Sequence, residues 1–241
     1  MTGLRPPRRV LNCYAGIGGN RALWPHDVEV VAVELDPDIA AAYAHLWPND
    51  TVIVGDAHEY LLDTITEVFD LRWASPPCVT HSKLNRFQAG KGKYRYPDLG
   101  QLYGEIILLR EFAPEGSAWV VENVIPYYPP LIPPTTLLDR HYVWSNRQLP
   151  YIGLDMVGRK RITRDRKSPK GNKTLSRMMI AEAKDWEDEY GICLPQSAQG
   201  WSREKRRKVM RNCVDPRLGE AVWDAIFSYD VSEQPTLLEV S

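Results

Sequence analysis

The chain has 241 residues, with 30 Lys and Arg against 31 Asp and Glu, a formal net charge of −1 and a hydrophobic content of 44%. This length is enough for one α/β domain with a good core and a small appendage. No apolar run reaches the length of a membrane span. The basic start at 1–9 leads into a strand rather than an apolar signal segment, so we expect a cytoplasmic location. Four cysteines without a Cys-x-x-Cys pair argue against a metal cluster or a disulfide framework.

Short apolar strands alternate with helices through the first half of the chain. The pattern predicts strands at 9–12, 28–33, 51–54, 69–74 and 119–121, and helices beginning at 20–24 and spanning 38–46, 57–68 and 99–112. This alternation predicts a doubly wound, mostly parallel α/β sheet. Ligands of such sheets bind beyond the carboxyl ends of the strands.

The rhythm of strand and helix ends after residue 124. A proline-rich, extended stretch at 126–134 leads to the apolar residues at 140–144, and no strand-helix alternation follows between 149 and 200. This second region is therefore the place for a separate small lobe. Helical periodicity returns at 205–229, interrupted near Pro216, and the last residues read as a loose tail.

Cys78 has the surroundings of a reactive thiol. It follows two prolines directly after the fourth predicted strand, and Glu122 ends the apolar run of the fifth. A thiolate that adds to an electron-poor ring needs a rigid loop to aim it and an acidic partner for the charge that develops. The alternative is a small buried core cysteine, which is the common role of a free cysteine. The polar and basic stretch at 80–95 favours a surface loop instead.

A glycine-rich turn follows the first predicted strand. Gly16, Gly18 and Gly19 suit any loop whose backbone approaches a nucleotide, but they lack the Gly-x-Gly-x-x-Gly spacing of dinucleotide enzymes. Glu34, at the end of the second strand, is suited to accept two ribose hydroxyls, and its alternative is an exposed strand-end carboxylate. Asp56 after the third strand is equally ambiguous when it is taken alone.

Taken together, these segments resemble the DNA cytosine-5 methyltransferases. Pro76-Pro77-Cys78 with Glu122-Asn123-Val124 resembles that family's catalytic pair. The loop at 11–19 resembles its cofactor loop, with Tyr14 where phenylalanine is usual. The run at 212–218 resembles the closing motif Asn-x-Val-x-Pro-x-Leu, which returns to the cofactor pocket. The motifs stand in the family's order and cover about 8–146 and 205–228.

The resemblance implies a fold, a cofactor and a set of site residues. The fold is an S-adenosylmethionine-dependent methyltransferase sheet with a small recognition lobe, of the compact kind that phage genomes carry. The implied catalytic residues are Cys78 as nucleophile, Glu122 and Arg140, acting on a cytosine flipped out of the duplex. The implied cofactor-binding residues are Tyr14, Ala15, Gly16, Ile17, Gly19, Glu34, Leu35, Asp56, Ala57, Pro76, Asn212 and Cys213.

The same resemblance sets the expected domains and partners. The catalytic domain would comprise 1–146 and 205–230, with a target-recognition lobe at 147–204 and a loose tail at 231–241. Double-stranded DNA is the expected partner of a monomeric protein without a metal or a membrane anchor. Basic clusters at 159–161, 164–173 and 203–211 would then follow the phosphates, although each one alone also suits a solvated surface. The expected DNA contacts are Ser82, Lys83, Arg86, Arg159, Lys160, Arg161, Arg164 and Arg166.

Three positions depart from the family pattern, and two other functions remain open. Val79 replaces a common glutamine, Leu138 replaces the first arginine of a motif that keeps Arg140, and Arg211 precedes Asn212 where glycine is usual. An RNA cytosine-5 methyltransferase shares the whole catalytic architecture. A catalytically silent DNA-binding protein would keep the basic surface and lose the reacting groups.

Overall fold

The computed structural model describes residues 7–87, 92, 94–139, 141–151 and 182–227. The strands are β1 (Arg9–Cys13), β2 (Glu29–Glu34), β3 (Thr51–Val54), β4 (Leu71–Ala74), β5 (Ala118–Val124), β6 (Thr136–Leu138) and β7 (His141–Ser145). The helices are α1 (Pro37–Leu46), α2 (Ala57–Asp63), α3 (Lys83–Phe87), α4 (Leu99–Phe112), α5 (Ala183–Tyr190), α6 (Arg203–Asn212) and α7 (Pro216–Phe227), with a 3-10 turn at Gln196–Gly200.

The strands form one seven-stranded sheet in the order β3-β2-β1-β4-β5-β7-β6. β1 to β5 are parallel, whereas β7 runs antiparallel to β5 and to β6. The predicted mostly parallel, doubly wound α/β fold is confirmed, and all five predicted strands are present. Because the strand order reverses between β1 and β4, the loops that follow these two strands flank the crevice in which such sheets bind ligands.

The core lies on both faces of the sheet. On one face, Val10, Trp73 and Val120 pack with Trp24 and with the apolar side of α7. On the other face, apolar residues of β1, β2, β4 and β5 pack against α2 and α4. The helices therefore hold the parallel strands in register and leave their carboxyl ends at one edge, as expected for strands buried on both sides.

Two predicted helices differ from the structure. A helix is expected to begin at 20–24, but these residues form a series of turns. The buried side chain of Asn20 bonds to that of Asn12, and Gly219 packs directly against the backbone of Asn20. The helix predicted at 57–68 ends at Asp63. Beyond that point, the guanidinium of buried Arg72 takes up the carbonyl groups of residues 64, 65 and 67, which a continued helix would need for itself.

The recognition lobe is expected at 147–204, and residues 182–204 of that range pack on the core. Trp186 and Tyr190 of α5 form a buried cluster with Ile17 of the cofactor loop, Ala42 of α1 and Met210 of α6. Residues 182–204 are thus joined to the loop after β1, to α1 and to α6 by apolar packing. A target-recognition lobe stays a prediction for the residues before them, most of which lie outside the described part of the chain.

Among the described residues, no helix has both the length and the apolar character that crossing a membrane requires.

Candidate active site

The loop after β1 turns sharply, and three of its residues have a left-handed backbone conformation. Tyr14, Gly16 and Gly18 have φ values of 57°, 57° and 78°. A Cβ at Gly18 would lie 2.4 Å from Nε1 of Trp47, and that same indole nitrogen donates a 2.9 Å hydrogen bond to the carbonyl of Ile17. Glycine is therefore required here by a close approach as well as by the backbone angle.

Glu34 ties this loop to the end of β2. Its Oε2 accepts a 2.9 Å hydrogen bond from the backbone N–H of Gly16, and its Oε1 accepts one of 2.9 Å from Asp36. The carboxylate is half-buried, and each oxygen keeps a lone pair for a further donor. Beside it, the side chain of Leu35 is 68% exposed, an apolar surface at the edge where a ligand would lie.

Asp56 is the N-cap residue of α2 and follows the neighbouring strand, β3. Glu34 of β2 pairs with Val54 of β3, and Asp56 stands two residues after Val54. Asp56 therefore lies at the same end of the sheet as Glu34. Its Oδ1 accepts backbone hydrogen bonds from His58 and Glu59, at 2.8 and 3.3 Å, and Ala57 is buried behind it. The structure therefore brings Glu34, Leu35, Asp56 and Ala57 to one end of the sheet, beside the glycine loop.

The buried carboxylate of Glu105, which the sequence does not single out, connects the glycine loop after β1 with α2. Glu105 of α4 is fully buried, and its Oε1 accepts the hydroxyl of Tyr14 and lies 3.0 Å from Nδ1 of His58. Burial raises the pKa of Glu105. Burial and the neighbouring Glu105 carboxylate likewise raise the pKa of the Tyr14 phenol. The other carboxyl oxygen of Glu105, Oε2, is buried without a hydrogen-bond partner among the described residues. The hydroxyl of Tyr14 thus links the loop after β1 to α4.

The closing motif packs directly on the glycine loop. A Cβ at Gly19 would lie 2.2 Å from the carbonyl oxygen of Val214 and 2.3 Å from Sγ of Cys213. Burial raises the pKa of the Cys213 thiol to about 12, so this cysteine is neutral at physiological pH. Asn212 is exposed at the end of α6. The segment that contains Cys213 and Val214 thus lies against the loop after β1.

Cys78 lies in a loop that is fastened to β5. The strand partners Ala74 and Val121 show that β4 and β5 end side by side, and Cys78 and Glu122 follow them. The buried amide of Asn123 donates a 2.8 Å hydrogen bond to the carbonyl of Pro76. The carbonyl of Cys78 accepts backbone hydrogen bonds of 3.1 Å from residues 81 and 82, which closes a tight turn around the half-buried cysteine.

Glu122 is buried within β5 and has a histidine beside it. Nδ1 of His141, at the start of β7, lies 3.4 Å from Oε1 of Glu122. No sequence signal assigns His141 a role, because its contact with Glu122 arises only from the antiparallel pairing of β5 and β7. Arg140 lies outside the described residues.

The residues expected to contact DNA divide into two groups. Ser82, Lys83 and Arg86 follow Cys78, and Arg86 lies 5.6 Å from the ring centre of Tyr127. The other five, Arg159, Lys160, Arg161, Arg164 and Arg166, lie outside the described residues. In the third basic cluster, at 203–211, three side chains form ion pairs with acidic residues of this same chain. Those three are Arg203, Lys205 and Arg206.

The loop geometry leaves room for a nucleotide-like cofactor. A side chain at Gly16 would meet nothing within 4 Å, so the space above this backbone is open next to the carboxylate of Glu34. An open glycine-rich turn, a strand-end carboxylate and an exposed leucine together suit a ligand with a sugar and an aromatic base. No group of three or more potential metal ligands occurs in the described part of the chain.

No protein-family model matches the sequence, and no curated protein matches it either. Among solved structures, the chain is similar to the Entamoeba histolytica methyltransferase EhMeth, with a TM-score of 0.54, 10% identity and coverage of 93% of this chain and 99% of that one. It is also similar to the S. pombe Dnmt2 methyltransferase, with a TM-score of 0.51, 12% identity and coverage of 92% and 98%.

A third likeness is partial. A putative DNA modification methyltransferase encoded within an E. coli prophage aligns with a TM-score of 0.34 and 22% identity, over 51% of this chain. This chain spans only 33% of that protein's length. The two full-length likenesses, at their low identities, establish the fold alone: the chain is folded as these two methyltransferases are.

Proposed function

We propose that this protein transfers a methyl group from S-adenosylmethionine to carbon 5 of cytosine in DNA, with Cys78 as the covalent nucleophile. The observation that carries the proposal is the hydrogen bond from Asn123 to the Pro76 carbonyl. It fastens the loop of Cys78 to the strand end that bears Glu122. Both residues then lie at the same edge of the sheet as the glycine loop and Glu34, where a cofactor and a base could meet.

Cys78, Glu122 and Arg140 each have a separate role in the proposed reaction. Carbon 5 of cytosine is too weak a nucleophile to take a methyl group unaided, so the Cys78 thiolate first adds to carbon 6. A sulfur-carbon bond forms, and the ring electrons move to carbon 5. Glu122 holds ring nitrogen 3 and the exocyclic amine as charge develops, and Arg140 holds the base carbonyl. S-adenosylmethionine, when it is bound, would supply the methyl group from its sulfonium to carbon 5 and would leave as S-adenosylhomocysteine. Loss of the carbon 5 proton to water and departure of Cys78 as a thiolate then restore the ring.

The cofactor is held by groups whose positions fit it. Glu34 accepts the ribose hydroxyls with the lone pairs that Gly16 and Asp36 leave free. Leu35 and Asp56 flank the adenine, and the backbone of the glycine loop approaches the amino acid part. Tyr14, through its hydrogen bond to Glu105, fixes the loop in the required conformation. Each of these assignments rests on the placement of the side chains at one sheet edge and on the sequence resemblance.

Target recognition is proposed for the lobe that begins at residue 147. A lobe of this size can bring few side chains to base edges, and each good bidentate contact discriminates by about 1–3 kcal/mol. The target is therefore short, about two or three base pairs around the cytosine. A genome-wide methylation map that returned a defined site of about five or more base pairs would contradict this small-lobe proposal.

A methyl-transfer assay separates the proposal from its alternatives. Labelled S-adenosylmethionine is supplied with duplex DNA, single-stranded DNA or tRNA, and the methylated base is identified by mass spectrometry. Methylcytosine in DNA, absent with Cys78→Ala and retained with the exposed-cysteine control Cys193→Ala, supports the proposal. Methylation of tRNA alone would establish an RNA enzyme. Binding of duplex without any transfer would establish the catalytically silent DNA-binding protein.

A further inference from the structure

His141 stands on the same face of the sheet as Glu122. The register of β5 and β7 places Val143 directly opposite Glu122, and it places His141 directly opposite Val124. Residues that face each other across antiparallel strands share a side of the sheet, and so do residues two apart along one strand. Glu122 and His141 are therefore diagonal neighbours on one face, at a separation that aromatic and long side chains can bridge.

Three valines flank Glu122 on this face. Val143 lies opposite it, and Val120 and Val124 stand two residues before and after it on β5. Val120 and Val143 are fully buried in the core cluster of this face. Their side chains have no group that could donate a hydrogen bond to a carboxyl. A buried carboxyl among apolar neighbours needs a donor or a cation from elsewhere, because burial without one is costly.

His141 supplies that partner. Its Nδ1 lies 3.4 Å from Oε1 of Glu122, and the side chains of His141 and Glu122 are only 21% and 8% exposed. Among the described residues, no other basic side chain lies within ion-pair distance of this carboxyl. Because both groups are largely removed from solvent, salt and water screen their attraction much less than they screen a surface pair.

A contact through one oxygen orients the whole carboxyl group. The last torsion of a glutamate side chain is loosely defined, so a carboxyl without a partner takes many orientations. The imidazole engages one lone pair of Oε1, which leaves the second lone pair of Oε1 and both lone pairs of Oε2 for a bound base. His141 can therefore fix the plane of the Glu122 carboxyl without blocking it.

We propose that His141 is a positioning residue of the methyl-transfer reaction: its imidazole holds Oε1 of Glu122 and thereby fixes the carboxyl that binds the target cytosine. The inference rests on the proposed function, because that function places the base against Glu122. His141 acts through Glu122 rather than on the base, so its loss should slow the chemical step. Affinity for duplex DNA should change little, since phosphate contacts supply most of it.

Steady-state methyl transfer to duplex DNA separates these two effects. His141→Val removes the imidazole but keeps a residue that favours a strand. We expect its kcat to fall about tenfold to a hundredfold, while KM for DNA and for S-adenosylmethionine changes by less than about twofold. His141→Asn should restore most of the kcat, because its amide nitrogen can take the place of Nδ1. His141→Leu, which has the shape of asparagine without the amide, should lose as much as His141→Val.

His26→Val is the matched control for the loss of an imidazole. His26 is exposed in the turn before β2, at the amino end of that strand, and its replacement should leave kcat and KM unchanged. Circular dichroism verifies that each variant is folded. If His141→Val does not fold, the comparison of the asparagine and leucine variants decides the question.

Three outcomes would overturn the role of His141 in an active enzyme. They are an unchanged kcat in His141→Val, a loss of activity that lies wholly in KM, and equal losses in the asparagine and leucine variants. A wild type that transfers no methyl group to duplex DNA would instead remove the proposed function and this role together. The activity of the wild type therefore distinguishes the two failures.

Discussion

At the scale of single residues, Glu105 connects the two halves of the proposed cofactor pocket. One of its oxygens binds both the Tyr14 hydroxyl and the His58 imidazole. Burial of a carboxyl disfavours its ionised form, which explains the raised pKa. The free energy of unfolding should therefore depend on pH through the titration of Glu105.

Glu105→Gln should remove that dependence. A carboxyl whose pKa is higher in the folded chain stabilises the fold below the unfolded pKa, ordinarily 4.5, and loses this contribution as the pH rises through the folded pKa. The free energy of unfolding of the wild type should therefore fall, relative to the variant, as the pH is raised from 4.5. Urea unfolding at several pH values measures it, with exposed Glu59→Gln as control. Parallel curves for the wild type and the variant would show that Glu105 does not titrate in this way.

Glu34→Ala should weaken S-adenosylmethionine binding by about 1–3 kcal/mol, the usual effect of losing a charged hydrogen-bond acceptor. The variant also leaves the N–H groups of Gly16 and Asp36 without their acceptor, which loosens the loop. Calorimetric titration measures the affinity. Glu29→Ala, at the exposed start of the same strand, is the control. Unchanged affinity in Glu34→Ala would make Glu34 a structural strand-end charge only.

At the scale of elements, the site depends on how closely α7 and the closing motif approach the glycine loop. Gly19 touches Val214, and Gly219 of α7 touches the backbone of Asn20. These contacts join the two ends of the chain at the loop that is proposed to hold the cofactor. A side chain at either glycine has no room.

Gly19→Ala should destabilise the protein by about 1–3 kcal/mol and weaken cofactor binding, because its Cβ would lie 2.2 Å from a backbone oxygen that cannot rotate away. Gly104→Ala is the contrasting control. Its Cβ meets nothing within 4 Å inside α4, so the change should raise stability by up to about 1 kcal/mol. Chemical unfolding and cofactor titration measure both. Equal stabilities of Gly19→Ala and the wild type would contradict the close packing.

The elements also show what a sequence can and cannot predict. The strands that end at Glu34 and Glu122 follow from short apolar runs, and α4 follows from its helical periodicity. The turns at Asn20 do not, because their cause is a bond to Asn12 and contact with a glycine 199 residues further along the chain. The bond between Tyr14 and Glu105 spans 91 residues and has no local signal. Buried polar contacts between distant segments are the part that sequence pattern misses.

At the scale of the whole molecule, a net charge of −1 conceals an uneven distribution. Part of the basic cluster at 203–211 is paired within the chain: Lys205, for example, binds Asp36 and Asp38 at the start of α1. The cations of the Cys78 loop and those in the predicted recognition lobe remain as candidates for phosphate contacts. The proposed DNA affinity therefore comes from two segments rather than from the net charge.

Replacing the five basic residues at 159–166 with alanine should weaken binding to all DNA sequences alike. Each lost phosphate contact should reduce the slope of log affinity against log salt by about 0.9 on duplex DNA. Titrations at several salt concentrations measure this. Arg203→Ala, which removes a cation already paired with Glu182, should leave the slope unchanged. An unchanged slope in the five-residue variant would place the phosphate contacts elsewhere.

The covalent adduct is the most direct measure of the central claim. Duplex DNA carrying 5-fluorocytosine, incubated with the protein and S-adenosylmethionine, should give a gel-stable complex, because fluorine at carbon 5 prevents the final elimination. Peptide mapping should place the modified base on Cys78, and Cys78→Ala should give no complex. An adduct that persists in that variant, or that maps to Cys13, Cys193 or Cys213, would contradict the assignment of Cys78 as the nucleophile.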